Sequence, residues 1–183
     1  QNLPQHAQLM DHLEKTAGLK RSLESLPEDE TITTRLGAGK GLTRPEISVL
    51  QAYAKIHYTQ ILLQSDIPDS KAMEGRLFKY FPKALSDKYP DEIKKHQLRR
   101  EIVCTTLANS IVNRMGMSFM MERMEKSGST PAEVAKAYII VREAFGVRPV
   151  WKAIEALDCK VPADVQLDAL KDTAGMVERA VTW

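Results

Sequence analysis

Two copies of one helix-opening device, Thr43-Arg44-Pro45-Glu46 and Thr130-Pro131-Ala132-Glu133, set the frame for the whole chain. In each, a threonine oxygen can accept an early amide and the glutamate three residues into the device can reach back. Proline costs little there, because first-turn amides lack intrahelical partners anyway. From Thr43, apolar positions recur through Val49, Leu50, Tyr53, Ile56, Ile61 and Leu63 to about Gln64, where Ser65-Asp66-Ile67-Pro68-Asp69 supplies a turn. From Thr130 a second helix is expected to about Phe145.

The remaining punctuation is also helical. Residues 4–25 carry Leu9, Leu13, Ala17, Leu19 and Leu23 at helical spacing, which predicts a helix kinked at Gly18. A short polar helix over 28–36 is closed by Gly37, Gly39 and Gly41. Further helices are predicted over 70–80, over 83–95 with a bend at Pro90, over 98–115 ending at Gly116, and over 117–126. Gly146 and Pro149 precede another over 150–157, and Pro162 opens the last. Whether 83–115 makes one helix or two stays open. Nothing alternates with period two over a convincing length. The expectation is an all-α fold, an irregular multi-helix bundle of about eight to nine helices, with residues 1–39 as an N-terminal helical segment and loop leading into a domain over 40–183.

Composition excludes several functions. The formal charge is +2, from 26 basic and 24 acidic residues, so no large single-sign field exists to hold nucleic acid or anionic lipid. Cys104 and Cys159 are far apart in sequence, which fits reduced thiols and a cytoplasmic setting. No run approaches the roughly 18 apolar residues of a membrane span. The chain begins at Gln1 and ends inside an apparent helix, as expected of a piece of a longer protein.

Few motifs suggest chemistry. Gly37-Ala38-Gly39-Lys40-Gly41 superficially resembles a phosphate cradle, but Gly41 stands where a Walker loop needs Ser or Thr, and no strand precedes it. His6, His12, His57 and His96 are too dispersed for a zinc site. Lys94, Lys95, His96, Arg99 and Arg100 form the densest basic cluster; Asp87, Asp91, Glu92 and Glu101 flank it, which points to local ion pairs. Five of the eight methionines fall within 115–124, where core filling competes with an adaptable partner-binding face. In the stretch 98–115, Cys104, Leu107, Ala108, Ile111 and Met115 make one apolar face. Arg99, Thr106, Asn109 and Asn113 recur at steps of seven, three and four along one line of the same helix. That line is the candidate site: a hydrogen-bond seam between helices of the domain, or an interface with another domain.

At these residues the sequence resembles the C-terminal part of the large bacterial NAD-specific glutamate dehydrogenases. The resemblance rests on Gly41-Leu42-Thr43-Arg44-Pro45-Glu46, Ala52-Tyr53-Ala54-Lys55-Ile56, Ser65-Asp66-Ile67-Pro68-Asp69, Tyr80-Phe81-Pro82 and Leu98-Arg99-Arg100-Glu101-Ile102. It continues through Leu107-Ala108-Asn109, Asn113-Arg114-Met115-Gly116 and the segment from Ala156 to Ala163. Gln97 departs from the pattern, standing where proline is common after the histidine. The resemblance implies a parent enzyme that uses NAD to deaminate L-glutamate oxidatively to 2-oxoglutarate and ammonia, with the present chain outside its catalytic core. It implies no catalytic, cofactor-binding or metal-ligating residue here. NAD would belong to the parent, and the partners would be the catalytic core and a homo-oligomer of the parent, with neither nucleic acid nor membrane involved. The competing expectation is an independent helical adaptor that binds a protein partner through 115–124.

Overall fold

In the computed structural model, which describes residues 2–182, the helix signals become eleven α-helices and two 3-10 turns. No strand occurs among the described residues. Two compact units are present, Gln1–Met121 and Glu122–Trp183. The first contains α1 (Leu3–Ala17), α2 (Asp29–Gly37), α3 (Arg44–Leu63), α4 (Glu74–Tyr80), α5 (Lys83–Lys88), α6 (Pro90–Lys94) and α7 (Arg99–Met115), with 3-10 turns at Ile67–Asp69 and Lys71–Met73. The chain passes from one unit to the next within α8 (Phe119–Ser127). The second unit holds α9 (Pro131–Ala144), α10 (Val147–Glu155) and α11 (Ala163–Val181). Nine of the eleven helices have seven residues or more, in keeping with the sequence expectation.

Both threonine devices open helices where expected. The Thr43 amide donates to Glu46 Oε2 at 2.6 Å. At Thr130 the exchange is reciprocal, with the Thr130 amide on Glu133 Oε2 at 2.7 Å and the Glu133 amide on Thr130 Oγ1 at 3.3 Å. Glu46 also takes a two-pronged contact from Arg35 of α2, at 2.7 and 3.0 Å. That guanidinium, helped by the Thr43 amide, holds the Glu46 carboxyl below its ordinary range in spite of burial. One side chain therefore caps α3 and ties α2 to it.

Besides the helix expected over 70–80, which opens as the 3-10 turn Lys71–Met73 and becomes α4 only at Glu74, three boundaries differ from the sequence expectation. The first helix does not kink at Gly18 but ends there, because Gly18 adopts the left-handed conformation (φ 68°) that turns the chain. Beyond it Arg21 is drawn under the surface by Asp11, Glu14 and Asp29, and Leu23 is left 75% exposed. Second, residues 83–115 form three helices. Tyr89 leaves the helical region (φ −129°, ψ 53°), as the residue before a proline tends to, and the chain breaks again before Arg99, where the Leu98 amide donates to His96 Nδ1. Third, α10 starts at Val147, three residues earlier than expected. Pro149 lies inside its first turn, where a missing amide hydrogen costs no bond.

The core of the first unit is the pairing of α3 with α7. Leu50, Ala54, Tyr58 and Leu62 of α3 are buried, as are Val103, Cys104, Leu107, Ala108, Ile111 and Val112 of α7. Fully burying a large aliphatic side chain contributes about 1.5–3 kcal/mol. The two helices run antiparallel: Gln51 Nε2 meets Asn113 Oδ1 at 3.3 Å near one end, and Arg100 Nη2 reaches Leu63 O at 2.7 Å near the other. α1 packs against α3, and its Leu9, Met10 and Leu13 are buried. The buried Tyr58 hydroxyl donates to Met117 O at 2.8 Å. Met117, Met120 and Met121 are themselves buried, the core-filling use of a methionine-rich segment. In the second unit α9, α10 and α11 pack together, with Val134, Ala135, Tyr138, Val147, Trp151 and Val177 buried.

The cysteines occupy opposite environments. Burial pushes the Cys104 thiol up to about 11, whereas Cys159 is exposed at a tight turn with φ 58°. The thiolate is the reactive form, so one thiol per chain should react rapidly with Ellman's reagent in the native protein, and the second only on unfolding. Two fast thiols in the native state would contradict the burial of Cys104.

Candidate functional site

The four residues of the polar line lie on the flank of α7 away from its buried face. Arg99 is partly exposed, Thr106 and Asn109 are half-buried, and Asn113 is exposed. Each has a different surrounding. The Thr106 hydroxyl donates to Val103 O at 3.0 Å within its own helix, while its carbonyl accepts from Arg76 Nη1 of α4 at 2.9 Å. Asn113 accepts from Gln51 of α3. Asn109 makes no side-chain hydrogen bond among the described residues. The line is thus stitched to α3 and α4 at two points and left open at Asn109.

Arg99 belongs to a different construction, which the spacing on α7 alone does not reveal. Asp69, at the end of the first 3-10 turn, receives Arg99 at 2.8 Å on one oxygen and Arg100 on the other. Arg100 also donates to the carbonyls of Leu63 and Ser65, at 2.7 and 3.2 Å. Those carbonyls stand at the end of α3, where no further turn of helix can use them, and a cation is the favoured partner for that helix end. Asp69 and Arg100 therefore join the end of α3, the Ser65–Asp69 turn and the start of α7 in one charged knot. Of the rest of the basic cluster, Lys94 lies with Nζ 3.8 Å from Glu74 of α4, so the ion pairs reach back to Asp69 and Glu74 instead of to the flanking Asp87, Asp91, Glu92 and Glu101 expected from sequence. A shallow cavity of about 90 Å³ opens beside the knot, lined among others by Asp69, Ser70, Glu74, Lys94 and Arg99. Its charges already neutralise one another in these pairs.

The other motifs hold no assembled chemistry. The Gly37–Gly41 loop is exposed between α2 and α3, with Gly39 at φ 66°. Among the described residues no three His, Cys, Asp or Glu side chains come together in an arrangement that could hold a metal ion. No helix among them is long and apolar enough to cross a membrane. Sequence reasoning missed Asp69, Arg76 and Arg21 as organising residues. The signal for Asp69 was an acidic turn residue following one long helix and a pair of arginines opening another; Arg76 and Arg21 carried no local signal.

Fold and site together define an all-α chain in which Arg21, Arg35, Asp69 and Arg100 join one element to another. It belongs to the glutamate dehydrogenase C-terminal family, whose pattern matches residues 39–183. Over its full length the chain is 40% identical to an NAD-specific glutamate dehydrogenase of Pseudomonas aeruginosa and 38% identical to one of Halomonas elongata. A third, from Mycobacterium tuberculosis, is 36% identical over 99% of the chain. The chain spans 11% of the length of each of these relatives. The family match begins within the glycine loop, next to the boundary at 39 and 40 read from sequence, whereas α1 and α2 pack in the same compact unit as α3.

The knot is testable. Asp69→Ala removes the shared partner of two half-exposed arginines and should cost about 1 kcal/mol, lowering Tm by about 2–4 °C at low salt and by less at high salt. Lys95→Ala, a charge removal outside the knot, should leave Tm in place. Equal Tm values for Asp69→Ala and the parent sequence at low salt would show that the knot does not hold the helices.

Proposed function

We propose that this chain is the C-terminal helical portion of an NAD-dependent glutamate dehydrogenase and supports the catalytic core that oxidatively deaminates L-glutamate to 2-oxoglutarate and ammonia. The observation that carries the reading is end-to-end similarity to enzymes of that name, of which the chain accounts for about a tenth. In this reading NAD is bound by the rest of the polypeptide, and the setting is cytoplasmic. The helical domain contributes contacts that stabilise the core, its oligomer or its regulation. Support for a contact role comes from α7: Asn109, midway along the polar line, has no side-chain partner among the described residues and its amide atoms are open to solvent, so it offers a partner surface both a donor and an acceptor. The adaptor alternative loses its main support, because Met117, Met120 and Met121 are buried.

Two measurements test this. The isolated chain should show no NAD-dependent oxidation of glutamate, and measurable turnover would refute a supporting role outside the catalytic core. In the full-length enzyme, Asn109→Ala should lower activity or thermal stability more than Asn113→Ala, whose side chain is already engaged by Gln51. No change in either variant would remove the polar line from the contact.

A further inference from the structure

α3 carries apolar residues on two faces, and this chain covers only one of them. Towards α1 and α7 it buries Leu50, Ala54, Tyr58 and Leu62. Val49, Ala52, Ile56 and Leu63 recur at steps of three, four and seven, which sets them in a second line along the opposite side of the cylinder. Ala52 and Ile56 are exposed, Ile56 by 57%, while Val49 and Leu63 are half-buried. A helix at a free surface ordinarily turns charged and polar residues to that side, whereas a helix apolar all round is one enclosed by protein. Lys55 is the one Lys, Arg, Asp or Glu between Glu46 and Asp66.

The polar groups on this side do not alter its character. The Ser48 hydroxyl donates to Arg44 O at 2.9 Å and the Thr59 hydroxyl to Lys55 O at 2.7 Å, so each spends its one proton on its own helix and needs no acceptor outside it. Gln60 is the exposed amide beside the stripe and makes no side-chain hydrogen bond among the described residues. Both flanks extend the surface. On one, the Tyr53 hydroxyl donates to Glu24 Oε1 at 2.7 Å, which holds the turn carrying Leu23, 75% exposed, alongside α3 one turn before Ile56. On the other, Gln51 meets Asn113, and because α3 and α7 run antiparallel the next turn of each brings Lys55 level with Asn109. Lys55 is half-buried and makes no ion pair among the described residues. The open amide of Asn109 therefore borders the apolar stripe.

We infer, on the footing of the function proposed above, that the outward side of α3 is a docking surface covered by an uncharged apolar face from the part of the parent polypeptide outside residues 1–183. The chain spans 11% of each relative, so most of the surface able to cover α3 belongs to the same polypeptide. Area favours that occupant over an unlinked one. From Val49 to Leu63 the stripe is about 21 Å long and one helix, about 10 Å, wide, on the order of 200 Å², whereas a stable independent complex buries about 800 Å² on each partner. A face joined covalently to the domain is held at high effective concentration and stays docked with far less contact. The absence of charge along the stripe calls for an apolar face opposite it, with a carboxylate at the rim to meet Lys55 and a polar group to meet Asn109.

Single cysteines in the full-length enzyme test the docking surface. Ile56→Cys and Ala52→Cys replace side chains that this domain leaves exposed, so neither substitution removes a buried contact within it. Maleimide addition at each position, followed by peptide mass spectrometry, should be at least about a hundredfold slower in the native enzyme than in the guanidinium-unfolded one. With p-benzoylphenylalanine in place of Gln60, illumination should join α3 to a peptide from outside residues 1–183 of the same polypeptide. Native labelling within about tenfold of the unfolded rate at both positions, or a crosslink made only to a second copy of residues 1–183 or to an unlinked protein, would overturn the docking surface. Should one cysteine variant be unstable, the other position and the crosslink decide. NAD-dependent glutamate oxidation by the unaltered full-length protein separates the two levels. An active enzyme with open positions overturns the docking surface alone, whereas a full-length protein without that activity overturns the function proposed above and the docking surface with it.

Discussion

Two long helices that bury one face each against the other have little freedom left in how they meet. In the first unit this constraint falls on α3 and α7, whose buried faces are built from small and branched residues, with Ala54 and Ala108 among them. Small residues at buried positions let helix backbones approach closely, and interdigitating side chains allow few arrangements. The polar contacts at the two ends, Gln51 with Asn113 and Arg100 with the end of α3, then fix the register along the axis. The other elements of the unit attach to this pair directly or through a neighbour, α2 by way of α1 and both α5 and α6 by way of α4. α1 lies against α3, α4 against α7, and the Ile67–Asp69 turn against both.

Charge in this domain acts by division of labour within single side chains. Glu46 closes the start of α3 and also receives Arg35 of α2. Arg21, almost fully buried, gathers Asp11 and Glu14 of α1 together with Asp29 of α2. Asp69 serves two arginines. Exposed ion pairs contribute little singly, whereas shared partners convert several weak contacts into a joint that needs all its members. In the second unit Arg123 plays the comparable part, buried and joined to Glu178 at 2.8 Å and to Thr182 at 2.9 Å.

How much of this could be read from sequence follows from the range of each interaction. Caps at Thr43 and Thr130, the stop at Gly116 and the apolar face of α7 involve residues within four positions of one another, and all were legible. The break at Tyr89 was half legible: a proline after a helix-like run signals a bend, and the short lengths of α5 and α6 turned the bend into a break. The end of α1 at Gly18 was misread because Leu19 and Leu23 keep the helical period, while the force that redirects the chain comes from Asp11 and Asp29, eight to ten residues from Arg21. On the candidate line, the periodicity placed Arg99, Thr106, Asn109 and Asn113 together correctly as positions on α7. It could not assign their partners, since Asp69, Arg76 and Gln51 come from separate elements 30 to 62 residues away.

The knot at Asp69 also makes the intervening chain a closed excursion. A path of thirty residues leaves the molecule at Asp69 and returns to the same carboxylate at Arg99. Two short helices, α5 and α6, occupy its outer part, and Ile93 is the one residue of the pair that is buried. With its ends pinned together, the excursion can lengthen or shorten at its tip without changing the spacing between α3 and α7, because a longer surface loop costs only the slow logarithmic growth of its closure entropy. Length variation around residues 83–94 is therefore the place where this fold can diversify without disturbing its frame, much as a bay can deepen while its headlands stay fixed.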